Sequence, residues 1–286
     1  MASYSPQPAF ENTQGDAGVR LCAHVAPLND MGRERKNNED SHLIFPLDGS
    51  VAPQNGEERV LGLSPPGLLL AVADGMGGHL AGEVASQMCV ENLAQEMKRQ
   101  LLLAGVTLSD LSMALRRAVE AVHQAVYTHA QQHAEALNMG TTLTAALLNG
   151  TRATFAEVGD SRAYLFRGGS LILLTQDQTI ANMLRSRGED SDRVSSQIKE
   201  MLTQAVGAQP DLEVIMSDVG LEPGDVLLLC SDGLYKAVSP SEIVECLEQA
   251  ASAGQKARDL VMKANGNGGP DNITVLLAEI QPVEET

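Results

Sequence analysis

The sequence predicts an α+β protein, and three observations carry that expectation. Short apolar runs of strand length fall in two groups along the chain. Several successive runs are separated only by turns at Asn149-Gly150, Gly159-Asp160 and Gly168-Gly169, gaps that demand antiparallel hairpins. Two long helical stretches sit together between the groups, whereas a doubly wound parallel sheet would alternate strand and helix.

In chain order, residues 1–18 are polar and are expected to be a disordered tail, with one domain over 19–281. A first strand is expected at 19–25. A charged, turn-rich passage then runs into a short apolar piece at 43–45, and 46–67 has the Pro/Gly punctuation of a surface loop or hairpin. Residues 68–73, LLLAVA, form an apolar run of the right length for a buried strand. Helices follow at 83–103 and 110–137. In the second, Leu111, Leu115, Ala118, Val122 and Val126 make one apolar stripe, so the pair should lie side by side on a sheet. Strands are expected at 141–148, 153–158, 162–167 and 171–174. Residues 176–200 are polar and weakly periodic and read as an exposed flap. Strands return at 212–217 and 226–230. A helix over 239–264 starts from the cap signal Ser239-Pro240-Ser241-Glu242, and a last strand spans 272–280.

Composition narrows the function. Aromatic residues are 3% of the chain and Trp is absent, so the core must be aliphatic. The net charge of −17 argues against nucleic acid or an anionic membrane as partner, since both call for basic patches. Cys22, Cys89, Cys230 and Cys246 are far apart without a CxxC pair, and read as reduced thiols. There is neither a secretory leader nor an 18-residue apolar stretch, so a cytoplasmic protein is expected.

The chemistry concentrates at strand ends. Residues 68–73 run into Asp74, then Gly75, Met76, Gly77, Gly78 and His79. Asp232 repeats the arrangement after VLLLC, Asp271 sits in a glycine-rich turn that opens into a strand, and Glu39-Asp40 precede another strand. Glycines allow a backbone to approach a ligand closely, and carboxylates without a His or Cys cluster suit Mg²⁺ or Mn²⁺ better than Zn²⁺. On pattern alone, one joint oxygen-ligand site and a set of separate solvated turns account for these acids equally well.

The wording of the motifs decides between them. In order, the chain carries Arg35-x-x-Asn38-Glu39-Asp40, Asp74-Gly75-Met76-Gly77-Gly78-His79, Gly140-Thr141-Thr142, Gly159-Asp160-Ser161-Arg162, Ser231-Asp232-Gly233-Leu234 and Asp271-Asn272-Ile273-Thr274. Over about residues 19–280 it resembles the metal-dependent serine/threonine protein phosphatases of type 2C, the PPM family, in their bacterial form. The resemblance implies an α-β-β-α sandwich of two antiparallel sheets flanked by helix pairs. It implies two Mn²⁺ or Mg²⁺ ions bridged by Asp74. Asp232 and Asp271 complete one shell, and the Gly75 carbonyl binds the other ion, with Glu39 and Asp40 acting mostly through its waters. Arg35 holds the substrate phosphate, and Asp160 with Asp232 offers a weaker third site. A hydroxide on the two-metal centre would attack phosphorus in line.

Two departures and two open roles accompany the resemblance. Relatives usually have His-Ser where this chain has Gln178-Thr179, and some carry an acid where it has Lys236, which bears on the third ion. The general acid is either His79, which is displaced from the position of the catalytic His in eukaryotic relatives, or a metal-bound water. Thr141 and Thr142 are either polar support for the site or ordinary β-branched strand residues. The expected protein is a monomeric phosphatase acting on phosphorylated Ser/Thr proteins and opposing a Ser/Thr kinase. The rivals are a catalytically weak metal-binding module that docks phosphoproteins and a hydrolase of small phosphate metabolites.

Overall fold

A run of consecutive apolar residues suits a strand only where both faces of the sheet are covered, and the chain builds that situation twice. The computed structural model describes residues 20–77, 81–104, 108–190 and 194–284, so the expected tail at 1–18 lies outside the described residues. The first sheet contains β1 (Leu21–Asp30), β3 (Arg59–Gly62), β8 (Arg162–Arg167), β9 (Ser170–Leu173), β11 (Val226–Cys230) and β12 (Ile273–Pro282), in the spatial order β3-β1-β12-β11-β8-β9. The second contains β2 (Asp40–Pro46), β4 (Leu68–Met76), β6 (Leu143–Asn149), β7 (Arg152–Val158) and β10 (Ile215–Gly220), in the order β10-β7-β6-β4-β2, with β5 (Gly140–Thr141) beside the end of β4. The pairings are antiparallel.

Alternation along β4 explains the apolar run. Leu68, Leu70 and Val72 face the inter-sheet core, where they meet Phe155, Leu227, Leu229 and Leu276. Leu69, Ala71 and Ala73 face the other way, toward α1 (Ala81–Ala104) and α2 (Leu108–Gln132). The outer face of the first sheet is covered by α6 (Pro240–Leu247) and α7 (Ala253–Gly266), through Leu228, Cys230, Val275, Leu277 and Leu260. The result is α+β, helices–sheet–sheet–helices.

Most expected elements are present, with differences that have local causes. The 176–200 stretch is not without regular structure. Thr179 caps α3 (Ile180–Ser186) and Ser195 caps α4 (Ser196–Lys199), each side chain accepting a backbone N–H of the first turn. The expected helix over 239–264 is two helices, because Ser252 caps a fresh start after Leu247; the Ser239/Glu242 capping box does form. The strand expected at 212–217 lies at Ile215–Gly220, drawn there by its register against Glu157–Arg152 of β7. A short strand within 46–67 joins the edge of the first sheet beside β1, and Asp232–Tyr235 forms a one-turn helix, α5, that periodicity does not reveal. The four cysteines are free thiols.

Both sheets deliver strand ends to one pole. Asp40 pairs with Asp74 across β2 and β4, Asp30 with Ile273 across β1 and β12, and Cys230 with both Val275 and Arg162. Six strands therefore finish or begin at the same end of the sandwich.

Glu157 of β7 is the clearest electrostatic cost inside this frame. It is 2% exposed, accepts a hydrogen bond from the Gln176 N–H at 2.8 Å, and leaves Oε1 without a partner. Burial, with Asp177 and Asp160 adding, pushes its carboxyl up to about 8. The unfolded chain releases that proton near 4.5, so folding takes up a proton between the two values and the contribution is lost as pH rises through 8. Glu157→Gln should raise metal-free stability by roughly 1–3 kcal/mol at pH 8.5 and by little at pH 5, read from thermal melts in EDTA. A gain that is independent of pH would contradict this assignment.

Candidate metal centre

The end of β4 is held before any ligand arrives. The Asp74 N–H donates to Thr142 Oγ1 at 2.9 Å, and its carbonyl accepts from both the Thr142 N–H and Thr141 Oγ1 at 2.9 Å. Thr142 Oγ1 is in turn 2.7 Å from Ser161 Oγ. The two threonines thus serve as polar support, fixing the peptide from which the Asp74 carboxylate projects. Gly75 follows because nothing larger fits: a Cβ there would lie 2.1 Å from the Gly82 carbonyl oxygen and 2.6 Å from that of Glu39. Gly233 is confined in the same way, 2.0 Å from the Asn272 carbonyl oxygen.

Asp40 is buried opposite Asp74. Its Oδ2 accepts from Ser231 Oγ at 2.6 Å and Thr274 Oγ1 at 2.7 Å, while Oδ1 is buried with no partner. Asp232 likewise has a buried, unpartnered Oδ1, and its Oδ2 accepts from Lys236 Nζ at 2.6 Å. Asp271 Oδ2 accepts from an Arg35 NH2 group at 2.6 Å, and Arg35 also feels the charges of Glu39 and Asp74. Asp160 lies in the turn between β7 and β8, where the Tyr235 hydroxyl reaches its carbonyl oxygen at 3.0 Å and its carboxylate at 3.3 Å.

The site residues expected from the sequence therefore gather at one pole, and their electrostatics record the crowding. Asp74 is raised well above the usual carboxylate range by burial and then by Asp40, Asp232, Asp160 and Asp271. Asp40 is raised by burial despite its two hydroxyl donors, with Asp232 and Asp271 adding to the effect. Burial and Asp232 push Asp160 up to about 6, against the pull of Lys236. Glu39, less buried, is raised in the same direction by desolvation. Like charges this close are relieved by protonation or by nearby cations. Among the described residues no three acidic, thiol or imidazole side chains form a ready-made ligand cluster. Arg35 and Lys236 each hold one carboxylate oxygen at this pole. The unpartnered Asp40 and Asp232 oxygens, the mutual repulsion and an all-oxygen donor set fit a hard divalent cation. Gly78 and His79 lie outside the described residues.

Three residues that lie within the sequence motifs, but to which the sequence assigned no role, support the site. Asn272, 4% exposed, accepts the Glu39 N–H at 2.9 Å and donates to the carbonyls of Met31 and Asn37, and so pins the loop that carries Arg35. Ser231 both donates to Asp40 and accepts the Thr274 N–H at 2.9 Å. Arg162 makes two bonds to Asp177, at 2.9 and 2.7 Å, and its guanidinium lies 3.7 Å from the Tyr235 ring centroid. The available signal was adjacency: Ser231 and Asn272 are polar residues next to the acids, at the ends of strands that are otherwise apolar.

Comparison with known proteins agrees with this geometry. The family model described as Protein phosphatase 2C matches residues 62–265. The serine/threonine phosphatase stp of Listeria welshimeri is 36% identical over 258 residues, 90% of this chain and 95% of the relative. Among solved structures, the S. agalactiae serine/threonine phosphatase superposes with a TM-score of 0.76 at 32% identity, covering 90% of this chain and 99% of that one. The catalytic domain of the phosphatase PstP, solved with two manganese ions, superposes with a TM-score of 0.71 at 34% identity over 91% of this chain and 99% of that one.

Asn272→Ala removes three hydrogen bonds, those from the Glu39 N–H and to the Met31 and Asn37 carbonyls. It should cost about 2–4 kcal/mol in denaturant unfolding and increase hydrogen exchange in the 31–39 loop. Exchange unchanged in that loop would remove Asn272 as its anchor.

Proposed function

The chain belongs to the protein phosphatase 2C family, and from that premise we propose that it removes phosphate from phosphoserine and phosphothreonine in proteins at a centre of two Mn²⁺ or Mg²⁺ ions. The enzyme is a metal-dependent serine/threonine phosphatase. The observation that supports the two-ion reading best is the pair of buried carboxylate oxygens without partners, on Asp40 and Asp232, beside the strongly raised Asp74. Asp74, the Gly75 carbonyl, Asp232 and Asp271 would hold the ions, with Glu39 and Asp40 acting from just outside. When bound, such ions lower the pKa of a coordinated water from 15.7 toward ~7 and neutralise phosphoryl charge.

The chain's own residues do the rest. The clamp of Thr141 and Thr142 on the Asp74 peptide keeps that carboxylate from swinging away. Ser231 and Thr274 occupy one oxygen of Asp40, so the acid presents the other in a fixed orientation. Arg35 has a half-exposed side chain and uses one NH2 group on Asp271, leaving further donors of its planar fork for a phosphate dianion. A protein substrate, carrying its phosphate on a flexible segment, reaches this pole directly, and 176–200 is the flap proposed to meet it within a phosphatase domain over 19–281. The physiological setting proposed is the cytoplasm, with the enzyme as a monomer opposing a Ser/Thr kinase. No helix among the described residues is long and apolar enough to cross a membrane.

Two measurements test this reading. Hydrolysis of a phosphothreonine peptide should vanish in EDTA and return with Mn²⁺, and Asp74→Asn should lower kcat by several orders of magnitude while leaving the circular dichroism spectrum unchanged. Turnover that persists in chelator would refute the mechanism. Arg35→Ala should act mainly by raising KM for the phosphopeptide, with Arg35→Lys recovering only part. An unchanged KM in the alanine variant would show that Arg35 does not grip phosphate.

A further inference from the structure

The one-turn helix α5 places Asp232, Tyr235 and Lys236 at successive positions i, i+3 and i+4, which share one side of the turn. Tyr235 reaches Asp160 and Lys236 reaches Asp232. The same ammonium stands 3.6 Å from Oε2 of Glu200, the residue that ends α4 in the 176–200 segment. Its charge also acts on Asp160. Lys236 is therefore surrounded by three carboxylates from three separate segments, at the position where Asp160 and Asp232 would jointly hold a third ion.

We propose that the Lys236 ammonium is a built-in replacement for that third ion, closing the Asp160–Asp232 position to metal and tying Glu200 to the centre. The inference rests on the two-ion reading above. The division of labour on Asp232 supports it: Oδ2 is committed to Lys236 at 2.6 Å, and only Oδ1 is without a partner. One oxygen remains for the main centre and none for an additional ion. A dication entering beside Asp160 would meet a fixed positive charge already bonded to the oxygen it needs. The Arg162 guanidinium stacked on Tyr235 completes the arrangement, since it binds Asp177, at the start of the same segment, to the residue that holds Asp160.

The test counts ions on the full-length chain. After removal of metal, Mn²⁺ is titrated by calorimetry, with free Mn²⁺ followed by electron paramagnetic resonance. Lys236→Asp should bind one Mn²⁺ more than the parent, and adding Asp160→Asn should remove the additional ion. Equal counts in parent and Lys236→Asp, three ions in the parent, or an additional ion that survives Asp160→Asn would each overturn the proposal. A parent count below two strikes the two-ion reading instead, because the difference between variant and parent still judges Lys236. Should the added acid prevent folding, Lys236→Gln is titrated in its place; it should bind an additional ion at least tenfold weaker than the first two, and its absence counts against the proposal. Independently of metal, Glu200→Gln should speed amide exchange across 196–201 by two- to five-fold in the metal-free protein, as loss of a solvent-facing ion pair allows. Unchanged exchange would show that Glu200 is not tied to Lys236.

Discussion

The structure is organised around a repulsion. At least five carboxylates, Asp40, Asp74, Asp160, Asp232 and Asp271, converge on one pole of the sandwich, and those most deeply buried there are raised by burial and by one another. Apolar packing does not relieve such a cluster; bound protons or neighbouring cations do. The protein keeps a partial answer in its own side chains, with Arg35 on Asp271 and Lys236 on Asp232. The remaining deficit makes the pole receptive to divalent ions.

Holding the acids in place falls to backbone and neutral polar groups rather than to further charges. The two sheets bring their strand ends to a common level. Threonines and serines from neighbouring strands then fix the Asp74 peptide and the Asp40 carboxylate. Asn272 performs the same service for the loop before β2, where three hydrogen bonds replace regular secondary structure. Close packing of backbone on backbone at Gly75 and Gly233 completes the frame, and explains why Asp74 and Asp232 are followed by glycine.

Much of this was legible in the sequence, and what was missed shares a cause. The 68–73 strand, the 226–230 strand and the helix pair follow from apolar runs and periodicity that tertiary context reinforces. The ordered motifs marked the acids that the structure brings together at one pole. The sequence did not reveal α3, α4 and α5, each eight residues or fewer, because so few residues give no usable period; caps at Thr179 and Ser195, not an apolar stripe, define two of them. The register of β10 was hidden because it depends on β7, distant in sequence, and the break within 239–264 rests on a single capping serine, Ser252. Asn272 and Ser231 went unassigned because their role is to satisfy other polar groups, a relation visible only in three dimensions.

Cys230 adds one more consequence. It precedes the Ser231-Asp232 pair by a single step, yet it belongs to the core beneath α6 and α7, and burial pushes its thiol up to about 12. A thiolate at this distance from the acids would invite soft or borderline metals and would be a first target for peroxide. The sulfur instead packs among the apolar side chains beneath α6 and α7, where burial keeps it protonated. Strand parity thus decides where this sulfur lies, since a one-residue slip of β11 would turn it out of the helix-covered core beside the acids.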